Sequence, residues 1–193
     1  MDIKITDLKK TYQNRTVFEN LNLTVKKSEK IAIMGESGCG KTTLLKIISG
    51  LEKADGGRIE GLPEKISFVF QEDRLFEKFT ALSNAKFAAG KNIGDETARE
   101  HLIEVGLTDS TLQTAENLSG GMKRRVSIVR AVLAKAELLL LDEPFKGLDE
   151  ENRENVSNYI LKNTADTTVI LVTHDRDEAE LLSADIIKWE DLI

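Results

Sequence analysis

Gly35-Glu36-Ser37-Gly38-Cys39-Gly40-Lys41-Thr42 reads Gly-x-x-x-x-Gly-Lys-Thr. It stands between a strand-like run, Ile31–Met34, and a helix-like run that begins Thr43-Leu44-Leu45. A strand, a glycine-rich turn and a helix in this order form the setting in which such a loop holds phosphate. Glycines let the backbone curl so that its N–H groups face phosphate oxygens, and the helix N-terminus adds partial positive charge at the same point. Lys41 then reaches the β- and γ-phosphates, and the Thr42 hydroxyl can ligate Mg²⁺. A chain built around this segment folds as an α/β domain and binds a nucleoside triphosphate.

The other segments agree with that class. Ile3, Ile5 and Leu8 alternate with polar residues, as do Leu21, Leu23 and Val25, which predicts an antiparallel β layer with a turn at Tyr12–Arg15. Buried strands are expected at Ile31–Met34, Ile66–Phe70, Leu138–Leu141 and Val169–Val172, with Asp55-Gly56-Gly57 as a turn. Helices are expected after the phosphate loop, with Gly50 as the stop, over Ser119–Lys135 and Asn152–Lys162, and from Glu178. Between Glu72 and about Asn117, leucine, alanine and charge dominate and no strand signal appears. The expectation is a P-loop NTPase core with a mostly parallel sheet, an N-terminal antiparallel layer and an inserted helical subdomain at about 72–134, within one domain over 1–193.

Composition excludes several alternatives. The net charge of −6 argues against nucleic acid as the main partner, which calls for a basic field. One cysteine rules out an internal disulfide and fits a reducing compartment. The start, Met1–Thr6, is polar and alternating, so no signal peptide is expected. Apolar runs such as Leu138–Leu141 are four residues long, far short of a membrane span.

Two further motifs carry chemistry. Leu138–Leu141 delivers Asp142 and Glu143 to the C-terminal end of a buried strand, where open α/β sheets bind ligands. There Asp142 would hold Mg²⁺ and Glu143 would polarise an attacking water as general base; a surface acidic pair is the other reading. Leu118-Ser119-Gly120-Gly121 opens a helix with a capping serine and two uncovered N–H groups, a second place for an anion, although alone it could be an ordinary turn.

Gly35–Thr42, Leu118–Gly121 and Leu141–Glu143, in that order, resemble the nucleotide-binding subunit of an ATP-binding cassette (ABC) transporter, and Leu-Ser-Gly-Gly is that family's signature. The resemblance covers essentially the whole chain. It implies ATP and Mg²⁺ as ligands, held by Gly35, Glu36, Ser37, Gly38, Cys39, Gly40, Lys41, Thr42 and Thr43. It further implies that Tyr12 stacks on adenine, that Gln71 contacts Mg²⁺ and the attacking water, and that Asp149 faces a partner subunit. His174 is then the switch histidine at the γ-phosphate, and Ser119, Gly120 and Gly121 complete the site of a second copy in a head-to-tail dimer. His101 lacks such context and reads as a solvated helix residue.

Two departures stand out: Met122 in place of the usual Gln, and Lys146-Gly147 in place of a small pair before Leu148-Asp149. Phe70–Leu75, the Ser-Gly-Gly-Met run and Asp142–Asp149 look most like the nitrate/sulfonate/taurine branch of bacterial importers. That resemblance implies a cytoplasmic subunit, peripheral on the inner face of the cell membrane, that drives integral-membrane permeases. A separate substrate-binding protein would deliver the cargo, and no nucleic acid is involved. Asp73–Phe76, Phe79 and Leu82 would then form part of a groove for a permease helix. A soluble cassette acting on ribosomes or DNA, and a small-molecule kinase, are the alternatives.

Overall fold

The computed structural model of the chain describes residues 1–13, 15–90 and 93–193. Its elements run β1 (Ile3–Tyr12), β2 (Arg15–Val25), β3 (Lys30–Met34), α1 (Lys41–Ile48), β4 (Gly56–Glu60), β5 (Ile66–Val69), α2 (Ala81–Phe87), α3 (Asp95–Glu104), α4 (Gly120–Leu133), β6 (Leu138–Asp142), α5 (Glu150–Asn163), β7 (Thr168–Thr173), α6 (Arg176–Leu181) and β8 (Asp185–Lys188). Five strands form a fully parallel sheet in the order β5-β6-β7-β3-β8, and three form an antiparallel sheet in the order β2-β1-β4. The expected α/β class, with a parallel core and an antiparallel layer, is the one observed.

Period-two alternation in the central strands builds two cores, one on each face. Ile31, Ile33, Leu138, Leu140, Ile170 and Val172 point to the α1 side and meet Ile3, Ile5, Leu21 and Leu23 of the antiparallel layer. Ala32, Leu139, Leu141, Val169 and Leu171 point to the opposite face and meet α4, α5 and the helices that follow β5. Each of these larger side chains contributes about 1.5–3 kcal/mol on burial, and a one-residue slip would exchange the faces, so register is tightly held. Between β5 and β6 the regular elements among the described residues are helices, with a single bridge between Thr80 and Thr114.

Three sequence expectations need correction. Gly56 and Gly57 are not a turn but open β4, which pairs with β1 through Lys9↔Gly56 and Ile5↔Ile59. Gly57 sits at the bulge in that pairing with φ +81°, and a Cβ there would lie 2.4 Å from the Asp7 carbonyl oxygen. Backbone therefore approaches backbone where any side chain would clash, and glycines that read as a turn serve a strand. The edge strand β8 gave no signal and was not expected. The turn expected at Tyr12–Arg15 includes Asn14, which lies outside the described residues; Tyr12 and Arg15 face each other across β1 and β2.

The third correction concerns His101, which is half-buried rather than solvated. Its Nδ1 lies 2.8 Å from the hydroxyl of buried Tyr159, joining α3 to α5, and Lys162–Glu104 at 3.1 Å makes a second tie between the same helices. Burial keeps the Tyr159 hydroxyl protonated, and the imidazole tautomer sets which of the two groups donates in this pair. Burial lowers the His101 pKa, Lys162 and Lys135 add to this, and Glu104 and Glu100 oppose it. The unfolded chain thus binds this proton more readily, so the contribution is complete above the ordinary value of 6.5 and is lost as pH falls below it. His101→Gln is expected to flatten the loss of stability between about pH 6.5 and 5, read from urea midpoints. An unchanged slope would place the acid sensitivity elsewhere.

Candidate functional site

The register of the parallel sheet assembles the site. Met34 pairs with Thr173, Asp142 with Val172, and Val69 with Leu141, so β3, β5, β6 and β7 all end at one edge. The residues just past these ends are Gly35, Gln71, Glu143 and His174. A cleft of about 780 Å³ opens at this edge, lined by Tyr12, Gln13, Arg15, Val17, the loop from Ser37 to Thr43, Gln71, Asp142, Glu143 and Val172. The volume is of the order of a small-molecule site.

The phosphate loop is braced from inside and behind. Buried Lys41 donates from Nζ to the carbonyl oxygens of Gly35 and Glu36, each at 2.7 Å, and its third donor reaches Cys39 Sγ at 3.6 Å, which closes the loop on itself. Gly40 precedes α1 with φ +123°; a Cβ there would lie 2.7 Å from Val17 Cγ1 and 3.1 Å from Trp189 Cζ2. Trp189, nearly fully buried, packs edge-on to Phe18 and forms the wall behind the loop. Leu44 N–H bonds to Gly40 oxygen, so the N–H groups of Lys41, Thr42 and Thr43 remain free at the helix start.

Cys39 is partly buried, lines the cleft and has its sulfur 3.6 Å from Lys41 Nζ. Alkylation by N-ethylmaleimide would place a bulky group among the phosphate-facing amides. It is expected to cut turnover at least about tenfold, and bound ATP is expected to protect the thiol. Equal labelling rates with and without ATP would count against this.

Acidic chemistry sits opposite the loop. Asp142 is nearly inaccessible and accepts a hydrogen bond from Thr42 Oγ1 at 3.2 Å. Burial pushes its pKa up; the Thr42 hydrogen bond opposes this, Glu143 adds to it, and Lys46 and Lys41 oppose it. Two hard oxygen donors at this spacing suit a divalent cation that takes its remaining ligands from phosphate and water.

Glu143 adopts φ 47°, a left-handed conformation that costs an ordinary residue of order 1–3 kcal/mol. Its amide bonds to Val172 oxygen at 2.9 Å, which pins the strained residue to β7. The carboxylate is contacted on both oxygens: Gln71 Nε2 at 3.2 Å and Lys146 Nζ at 3.4 Å on Oε2, and His174 Nδ1 at 3.6 Å on Oε1. The structure therefore brings Gln71, Glu143, His174 and the phosphate loop together, and it adds Lys146, which sequence reading had noted only as a departure. Its place three residues after Glu143, across Pro144, was the available signal.

Tyr12 is 43% exposed at the cleft mouth, with Lys10 Nζ 4.9 Å from its ring centre. The signature does not join this cleft. Ser119 caps α4 by accepting from Met122 N–H at 3.3 Å, and Ser119 and Gly120 are exposed, outside the cleft lining. Asp149 caps α5 through Asn152, whose backbone and then side-chain hydrogen bonds lower its pKa.

The sequence profile of the ABC transporter family matches residues 18–146. The chain belongs to the ABC transporter family. Among relatives of this ABC chain, the ergothioneine transport ATP-binding protein EgtV of Helicobacter pylori is 36% identical, over 94% of this chain and 93% of that protein. The aliphatic sulfonates import ATP-binding protein SsuB 2 of Pseudomonas syringae is 37% identical, over 95% of this chain and 79% of that protein. The bicarbonate transport ATP-binding protein CmpD of Synechocystis is 42% identical, over 87% of this chain and 65% of that protein. In structure, the ABC cassette here is similar to the dimeric bacterial ABC transporter cassette MJ0796, with TM-score 0.85 and 30% identity over 96% of this chain and 93% of that one. Like the ATP-binding subunits of its family, the ABC chain binds ATP and hydrolyses it to power transport. No helix among the described residues is long and apolar enough to cross a membrane.

Proposed function

We propose that this chain is the energising subunit of a bacterial importer of the nitrate/sulfonate/taurine branch, and that two copies close head to tail around ATP. One observation carries the reading: Gly35, Gln71, Glu143 and His174 converge at one sheet edge while Ser119 and Gly120 lie exposed outside that cleft. Each copy thus holds one half of two anion sites.

Within a copy, Tyr12 stacks on adenine, and Lys41 with the loop N–H groups grips the phosphates. Thr42, Asp142 and Gln71 would hold Mg²⁺, which neutralises charge on the β- and γ-phosphates when bound. Glu143 accepts the proton of the attacking water, Gln71 orients that water, and His174 contacts the γ-phosphate. Ser119, Gly120 and Gly121 of the second copy offer uncovered helix N–H groups to the same γ-phosphate, and Asp149 faces that copy across the joint. Loss of the γ-phosphate weakens the closed state, and the cycle of closing and opening drives the membrane partner.

The docking surface follows β5. Phe76, Phe79 and Phe87 are 43%, 55% and 65% exposed and form one aromatic cluster, whereas Leu82, expected in the groove, is buried in the core. A helix of an integral-membrane permease fits this patch, which makes the chain cytoplasmic and peripheral on the inner membrane face, with a separate binding protein supplying the cargo. The sulfonate, bicarbonate and ergothioneine transport relatives support the importer reading, and a net charge of −6 disfavours a ribosome- or DNA-bound cassette. Co-purification from membranes tests it: wild type is expected to bring down an integral-membrane subunit, and Phe79→Asp to lose it while keeping ATP hydrolysis. Retention of the partner by Phe79→Asp would move the docking site elsewhere. Phosphate release without any acceptor separates hydrolysis from a kinase.

A further inference from the structure

Gln71 enters the cleft from a loop whose own contacts are between side chains, with the Arg74 guanidinium 3.9 Å from the Phe70 ring centre. Among the described residues, Gln71–Arg74 makes no backbone–backbone hydrogen bond of its own. The carbonyls are gripped from α4 instead. Arg124 donates from Nη1 to Phe70 oxygen at 2.6 Å and from Nη2 to Gln71 oxygen, and Arg130 donates to Asp73 oxygen at 3.0 Å and to Arg74 oxygen at 2.8 Å. Arg124 is only 4% exposed. Its Nε faces Asp73 Oδ1 at 3.3 Å as an ion pair out of line for a hydrogen bond. Two planar guanidinium forks thus hold four of the five carbonyls from Phe70 to Arg74, which a lysine ammonium could not reproduce in the same geometry.

The helix that grips this loop is the one that Ser119 caps. Arg124 stands five residues after Ser119, about 7.5 Å along the axis of a single rigid helix. We propose that Arg124, seconded by Arg130, is a positioning residue that makes the signature helix and the Gln71 loop one body. A second copy that seats its γ-phosphate on Ser119–Gly121 thereby sets Gln71 in this copy's own cleft. The two ATP sites of a dimer are linked through α4, and Arg124 acts on chemistry only by way of Gln71. This rests on the role proposed for Gln71.

A double-mutant cycle on phosphate release by the purified cassette tests it, with Arg124→Gln, Gln71→Ala and both together. Arg124→Gln is expected to lower kcat about tenfold or more, as small misplacements of a positioned group do, with KM for ATP and nucleotide binding by the single chain unchanged. On the Gln71→Ala background it is expected to cost nothing further. Arg124→Lys keeps a positive charge opposite Asp73 and is expected to give the same loss, which carries the test if the Gln variant folds poorly. In both variants trypsin cleavage after half-exposed Arg74, followed by mass spectrometry, is expected to speed up several-fold. Additive losses in the cycle, or cleavage at the wild-type rate, would overturn the linkage while leaving Gln71 in its role. Wild-type turnover by Gln71→Ala would sink that role and the linkage with it.

Discussion

Glu143→Gln is expected to bind ATP normally, to lose at least about a hundredfold in turnover, and to accumulate as a dimer when ATP and Mg²⁺ are present. The substitution preserves shape: Gln71 Nε2 keeps an oxygen acceptor, and the φ of 47° and the bond to Val172 are indifferent to side-chain charge. Besides basicity, only the charge facing Lys146 and His174 is removed, so a loss with ATP binding intact reports proton transfer rather than collapse. In the proposed head-to-tail arrangement the dimer accumulates because the γ-phosphate between the two halves is no longer cleaved. Phosphate release and light scattering on the same sample read both effects. Near-normal turnover would show that another group takes the proton, and His174, 3.6 Å away, would be next in line.

Which parts of this arrangement were legible beforehand follows from what each residue depends on. The strand–loop–helix at Ile31–Ile48 and the strand ending in Asp142-Glu143 are local: burial of consecutive apolar residues, a glycine at positive φ and a helix start are fixed by neighbours in the chain. The two missed strands depend on distant partners. β8 is four residues long, mostly exposed, and exists because it pairs with the buried edge of β3, and β4 carries two glycines whose use is to lie close to β1. Site residues divide in the same way. Lys41, Thr42 and Asp142 announce themselves by type and spacing, whereas the carbonyl grip of Arg124 on Gln71, the wall made by Trp189 at Gly40 and the tie of His101 to Tyr159 are contacts across 53, 149 and 58 positions, which no periodicity encodes. Gln71, Asp149 and Tyr12 became visible only through the likeness of the whole chain to a family.

Ser119→Arg is expected to lower turnover at least about a hundredfold, because a bulky cation replaces the cap of α4 and covers the N–H groups proposed to meet the second copy's phosphate. Binding of ATP by the single chain should survive, since Ser119 lies outside the cleft that holds Lys41, Thr42 and Asp142. Lys41→Ala is the complementary lesion: it damages the phosphate loop and spares the signature. Neither chain alone can assemble a working site. Mixed in equal amounts they pair at random, and half of the dimers carry one chain of each kind. Each such dimer has one site with both lesions and one with neither, so about a quarter of wild-type turnover should return. A joint in which each signature served its own loop would leave every site damaged in every pairing. Activity in the mixture no higher than that of the separate chains would therefore refute the head-to-tail arrangement, even if both single substitutions behaved as expected.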